Sequence, residues 1–139
     1  MNAYVKWVDG MRFAGRSGSG HSIMMDTGPK SGGSDSAPTP MEMILMAVGG
    51  CSSVDVVSIL KKARQDVIHC EVELNAERVD EVPAIFSSIH LHFIVTGRAL
   101  KEAHVRRAVG MSADKYCSAS IMLGRAGVEI THDFEIREL

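Results

Sequence analysis

The sequence predicts an α+β fold, with its strands gathered in blocks and not interleaved one by one with helices. Three observations carry that expectation. The first thirty residues hold three short strand-like runs parted by turn signals, residues 40 to 62 form one long apolar helix, and two long alternating runs follow it directly. Blocks of strands and blocks of helices build α+β domains, whereas a doubly wound sheet needs strict strand–helix alternation.

Asn2 to Val8 alternates as a strand, and Asp9-Gly10 is a strong hairpin signal before Met11 to Arg16. A second turn, Ser17-Gly18-Ser19-Gly20, leads into His21 to Asp26, so the N-terminal segment reads as a three-stranded meander. Arg12, Ala14 and Arg16 share one face by period two, with Met11 and Phe13 on the other. Thr27 to Thr39 is rich in Gly, Ser and Pro and reads as a mobile loop flanking an entrance. It lacks the G-x-x-x-x-G-K-[ST] spacing of a phosphate loop, which argues against nucleotide binding.

Thr39 caps the helix that follows, Pro40 takes the first helical position without cost, and Glu42 sits near the positive helix end. From Met41 to Leu60 apolar side chains occur nearly all round, the mark of a buried helix. Gly49 and Gly50 each cost about 1 kcal/mol against Ala in mid-helix, so they imply close approach of another segment or room beside Cys51. Glu42, Ser52, Ser53 and Asp55 interrupt the run of about 20 apolar residues that a membrane span needs.

Val67 to Val79 alternates with Ile68, Cys70, Val72, Leu74 and Ala76 inward, and Ile85 to Thr96 answers with Ile89, Leu91, Phe93 and Val95. Cys70 is thus a small core residue. His90 and His92 fall on the outer face, opposite His69 and glutamates of the neighbouring strand; with no third ligand fixed, no metal is expected there. Leu100 to Ser112 is an amphipathic helix, Asp114 to Gly124 a third short helix capped by Asp114, and Val128 to Arg137 a closing strand.

With 139 residues, 45% of them apolar, the chain reads as a single domain, and its net charge of −2 argues against a nucleic-acid surface. A domain this small has difficulty sheathing a helix apolar on every side, so a second subunit is expected to cover it. Three cysteines make no closed disulfide framework and the N-terminus carries no signal-like apolar region, which together suggest a reducing cytoplasmic compartment.

A reactive cysteine works as its thiolate. Cys51 lies nearly three turns into its helix, where the dipole has faded, and Asp55 one turn on opposes a negative charge there. Cys117, in the first turn of the third helix beside Lys115, is the better-placed thiolate on local electrostatics. A cation from outside is therefore expected for Cys51, with Arg12 or Arg16 as candidates.

PMEMILMAVGGCSSVDVVSIL, followed by DKYCSASIML, resembles the OsmC and Ohr family of thiol-dependent hydroperoxide reductases, nearest its YhfA-like branch, and the resemblance covers essentially the whole chain. It implies an OsmC-like fold assembled as an intertwined homodimer with no cofactor. It also implies that Cys51 matches the peroxide-attacking cysteine and Cys117 the one that resolves it as a disulfide, which a dithiol such as lipoamide then reduces. Peroxidase members carry a glutamate ten residues before the first cysteine; here that position is Met41, with Glu42 beside it turned about 100° round the helix. Three functions follow as expectations: two-thiol reduction of organic hydroperoxides or a related redox substrate, binding of a small apolar ligand on the same scaffold, or cysteines that only pack. Neither a membrane nor a nucleic acid is an expected partner.

Overall fold

The computed structural model describes all residues, Met1–Leu139. The chain forms two compact units, Met1–Ile44 and Leu45–Leu139, with the boundary inside the long helix.

The first unit is a three-stranded antiparallel meander of β1 (Ala3–Asp9), β2 (Arg12–Ser17) and β3 (Ser22–Met25), in the order β1-β2-β3. The first turn is made by Gly10 and Met11, one residue later than the sequence suggests. Asp9 stays in the ladder opposite Arg12 and holds its guanidinium through two 2.7 Å bonds, while Gly10 takes the positive φ of 49° that the turn requires.

The Gly/Ser loop after β3 is laced together, which the composition did not reveal. Asp26, 1% exposed, accepts hydrogen bonds from the amides of Thr27, Ser34 and Ser36 and from the Ser36 hydroxyl at 2.6 Å. Its own amide donates to the Pro38 carbonyl, and a 3-10 turn at Pro29–Ser31 fills the span. These bonds to the ionised form, led by the Ser36 hydroxyl, bring the Asp26 carboxyl down from 3.8 to about 2.

α1 (Pro40–Lys62) begins with a reciprocal capping box: Thr39 Oγ1 accepts from the Glu42 amide and the Glu42 carboxylate accepts from the Thr39 amide. It ends with Lys61 and Lys62 in its last turn, suited to the negative helix end. By length and composition α1 is long and apolar enough to cross a bilayer, so its polar residues alone do not exclude a span. Val48, Ser52, Val56 and Leu60, spaced by four, form a buried stripe, and a Cβ on Gly49 would stand 2.7 Å from Leu74 Cδ1. One stripe of α1 thus packs on side chains of the sheet of the second unit, whereas Ile44, Met46 and Val54 stand exposed, so the helix is not buried on every side in the single chain as its composition suggests.

That sheet has the order β4-β5-β6, with β4 (Asp66–Arg78) antiparallel to β5 (Phe86–Arg98) and β6 (Glu129–Glu138) parallel to β5. Ile89, Leu91, Phe93 and Val95 of β5 are buried as the alternation predicts. A register shift between Val67 and His69 turns Ile68 out to solvent, so it does not join Cys70 and Val72 on the inner face. α2 (Glu102–Met111) packs Val105, Ala108 and Val109 inward. A π-helical turn, Ser112–Tyr116, then delivers the chain to α3 (Ser118–Arg125).

Candidate functional site

The π turn changes the electrostatics of the second cysteine motif. Asp114 does not cap the third helix; it lies within the π turn, and Cys117 itself is the N-cap of α3. Its sulfur accepts the Ser120 amide at 3.4 Å, as the oxygen of Ser or Asp does at most helix starts. Behind it the Ser52 hydroxyl lies 3.1 Å from the same sulfur. Cys117 is wholly buried, and the serines around it are all engaged. Ser120 Oγ donates to the Cys117 carbonyl, and Ser112 Oγ reaches the Ser52 carbonyl and, at 3.3 Å, an Asp55 carboxylate oxygen.

The structure brings Cys51 and Cys117 together as neighbouring free thiols, Cys51 partly exposed and Cys117 enclosed. Burial alone would push the Cys117 thiol up, yet the bonds from Ser120, Ser52 and Cys51 outweigh it and hold the thiol below its ordinary value. For Cys51 the strongest influence is the Ala119 amide at the head of α3, which favours its anion. Burial and the adjoining Cys117 nevertheless leave that thiol above its ordinary value. The first turn of α3 therefore serves both sulfurs. Sequence reasoning, which sought an outside cation for Cys51, missed these amides because backbone donors leave no mark on residue type.

Arg12 is forked on Asp9, Arg16 stacks its guanidinium 5.9 Å from the Tyr4 ring centre, and Glu42 is the acid of the capping box. Each has a local partner within the first unit. A groove of about 410 Å³ in the second unit opens one turn beyond Cys51, lined by Asp55, Ser58, Lys62, Arg107 and Tyr116, the last adjoining Cys117 in the chain. Cys70 lies opposite Val95, its thiol raised by burial.

His90 and His92 find their partners on β6 instead of β4. Both rings bond to one oxygen of Asp133, at 3.0 and 2.7 Å, and His90 also meets Thr131 Oγ1. The Asp133 bond raises the His92 value and lowers that of Asp133 itself. The parallel register places these residues side by side on one outer face, as cross-strand hydrogen-bonded pairs.

Comparison with known proteins agrees with this architecture. The family model described as OsmC-like protein matches residues 33–133. Protein YhfA of Escherichia coli strain K12 is 59% identical over 136 residues, 98% of each chain. A structural-genomics structure, 56% identical, superposes with a TM-score of 0.91 over the full length of both chains. More distantly, at 14% identity and a TM-score of 0.72 over 97% of each chain, an organic hydroperoxide resistance protein OsmC from Legionella pneumophila shares the fold. With the family model spanning most of its length and a near-full-length relative well above half identical, the chain belongs to the OsmC-like family.

Proposed function

We propose that this protein reduces organic hydroperoxides, or a related redox substrate, with Cys51 as the attacking thiol and Cys117 as the thiol that closes the disulfide. One observation carries the reading: two free thiols adjoin at the head of α3, one reachable from solvent and the other enclosed behind it. A Cys51 thiolate attacks the distal peroxide oxygen, forming an S–O bond as the O–O bond breaks; the alkoxide leaves and takes a proton from solvent, so the products are a Cys51 sulfenic acid and an alcohol. Cys117 attacks that sulfur, an S–S bond replaces the S–O bond, and water departs. A dithiol reductant returns the pair to its starting state by exchange. The fold shared with a hydroperoxide resistance protein supports the reading at the level of architecture.

The working unit is proposed to be a homodimer in the cytoplasm, with residues 1–139 acting as one domain. Ile44, Met46 and Val54 of α1 stand exposed on the single chain, as do Tyr4, Val5 and Trp7 of β1, a burden of apolar surface that a second copy would relieve.

A second reading is binding of a small apolar ligand on the same scaffold, favoured by Met41, which occupies the place of the acid that the family resemblance leads one to expect. Stopped-flow oxidation with an alkyl hydroperoxide separates the two. The redox reading expects consumption of Cys51 much faster than of free cysteine. Equal rates, together with a co-purified small molecule seen by mass spectrometry, would move the assignment to binding.

A further inference from the structure

We propose that the groove along α1 is a binding site for a small amphipathic monoanion: Lys62 and Arg107 hold a carboxylate head, and the hydrocarbon body lies along the groove with its far end toward Cys51. As a subsite for the peroxide substrate this rests on the two-thiol reading above; as a binding site it stands without it.

Helix geometry sets the direction of the groove. Cys51, Asp55, Ser58 and Lys62 follow one another on α1 at steps of four, three and four residues, so they share one face. Asp55, Ser58 and Lys62 line the groove, and Cys51 stands one turn before its near end. Tyr116, directly before Cys117 in the chain, lines it as well, so the groove meets both cysteine segments. From Cys51 to Lys62 the helix rises about 16 Å along its axis. A ligand anchored at Lys62 therefore extends along the helix toward the outer thiol. At about 410 Å³ the groove lies within the range of small-molecule sites.

Charge varies along it. The one carboxylate in its lining, Asp55, stands at the Cys51 end and is engaged by the Ser112 hydroxyl at 3.3 Å. Lys62 closes α1 at the other end, and Arg107 reaches the groove from α2. Neither cation forms an ion pair within the chain, whereas Arg106, the residue before Arg107, is bonded to Glu102 at 2.6 Å. Complementing a helix end accounts for Lys62 alone, since Arg107 lies outside the last turn of α2. An arginine fork binds a carboxylate through paired bonds, and a lysine adds a point charge. Two cations less one carboxylate leave a single net positive charge, which suits a carboxylate better than a phosphate monoester with its nearly two negative charges. Ile59, Ala63 and Met111 supply the apolar lining on which a hydrocarbon chain is sheltered from water.

The first stage of the test reads binding alone, so its failure is distinct from failure of the peroxidase reading. Octanoate, octanamide and octyl phosphate are titrated calorimetrically into the reduced wild type, Arg107→Gln, Lys62→Gln and the charge-conserving Arg107→Lys. Octanoate is expected to bind the wild type at least about tenfold more tightly than octanamide. Arg107→Gln and Lys62→Gln should each remove most of that preference, and Arg107→Lys should keep part of it. Absence of octanoate binding, equal affinity for octanamide, an affinity unmoved by either glutamine variant, or tighter binding of octyl phosphate overturns the assignment. Should a variant fold poorly by circular dichroism, salt dependence in the wild type takes its place: octanoate affinity is expected to fall as salt rises, and a salt-independent affinity contradicts the proposal. At the second stage octanoate is added during turnover of cumene hydroperoxide. A rise in KM without a change in kcat is expected in the wild type and should be lost in Arg107→Gln. Turnover unaffected by saturating octanoate overturns the groove as a substrate subsite. A wild type that binds octanoate but consumes no peroxide overturns the two-thiol reading and leaves the binding site standing.

Discussion

The Ser52 hydroxyl lies 3.1 Å from the Cys117 sulfur, and both side chains are buried. Ser52 stands on the inner stripe of α1 directly after Cys51, so one helix supplies both the outer thiol and a hydrogen-bond partner for the inner one. That bond helps to hold the Cys117 thiol below its ordinary value. Ser52→Ala should therefore move the first thiolate transition of the pair, followed by ultraviolet absorbance, to higher pH. An unshifted absorbance titration would show that the hydroxyl only fills space.

A Cβ on Gly49 would meet Leu74 Cδ1 at 2.7 Å and Val72 Cγ1 at 3.3 Å, so the Leu74 side chain must shift and Val72 must give to admit it. Gly49→Ala is expected to destabilise the protein by about 1–3 kcal/mol through overpacking. Gly110→Ala on α2, with nothing within 4 Å of the added carbon, should instead be neutral or stabilising by up to about 1 kcal/mol. Urea unfolding of the two variants checks the contrast, and equal midpoints would contradict it.

Asp26 ties residues 27 to 38 into one arrangement. Its carboxyl is depressed from 3.8 to about 2 in the folded chain, so its stabilising contribution is fully present above the unfolded value of 3.8 and is lost as the pH falls through about 2. Asp26→Asn should be less stable than the wild type by a constant margin above about pH 5, with the two acid-unfolding curves converging toward pH 2. A margin unchanged down to pH 2 would assign the effect to packing and not to charge.

Val54 is 70% exposed on the outer side of α1. If a second copy covers this face, Val54→Lys should shift sedimentation from dimer toward monomer, since it places an unpaired charge in the contact. A wild type that sediments as a monomer, or a variant that stays dimeric, would leave that surface without the proposed partner.

Much of the fold was legible because its strongest signals are local. Thr39-Pro40 and the apolar run fixed α1 to its last residue, and period-two alternation found β4 and β5 with only Ile68 misplaced by a bulge. The site was less legible. No pattern in residues 112 to 116 announces a π turn, and Asp114 is an attractive cap that the chain does not use. Once the π turn is formed, the cap falls to Cys117 and the first amides of α3 face the sulfur pair, a field made by backbone groups that residue identities do not encode. The grip of Asp26 was hidden for the same reason, since most of its donors are main-chain amides of the loop that follows it. Proximity of Cys51 and Cys117 follows from no spacing rule either; it was implied only by the family resemblance.

The most direct measurement is intact mass after one equivalent of cumene hydroperoxide on the reduced wild type, Cys51→Ser and Cys117→Ser. The account predicts loss of two hydrogens in the wild type, gain of one oxygen in Cys117→Ser as a trapped sulfenic acid, and no change in Cys51→Ser. A wild type left with all thiols reduced, or oxygen gained in Cys51→Ser while Cys117→Ser stays unmodified, would contradict it.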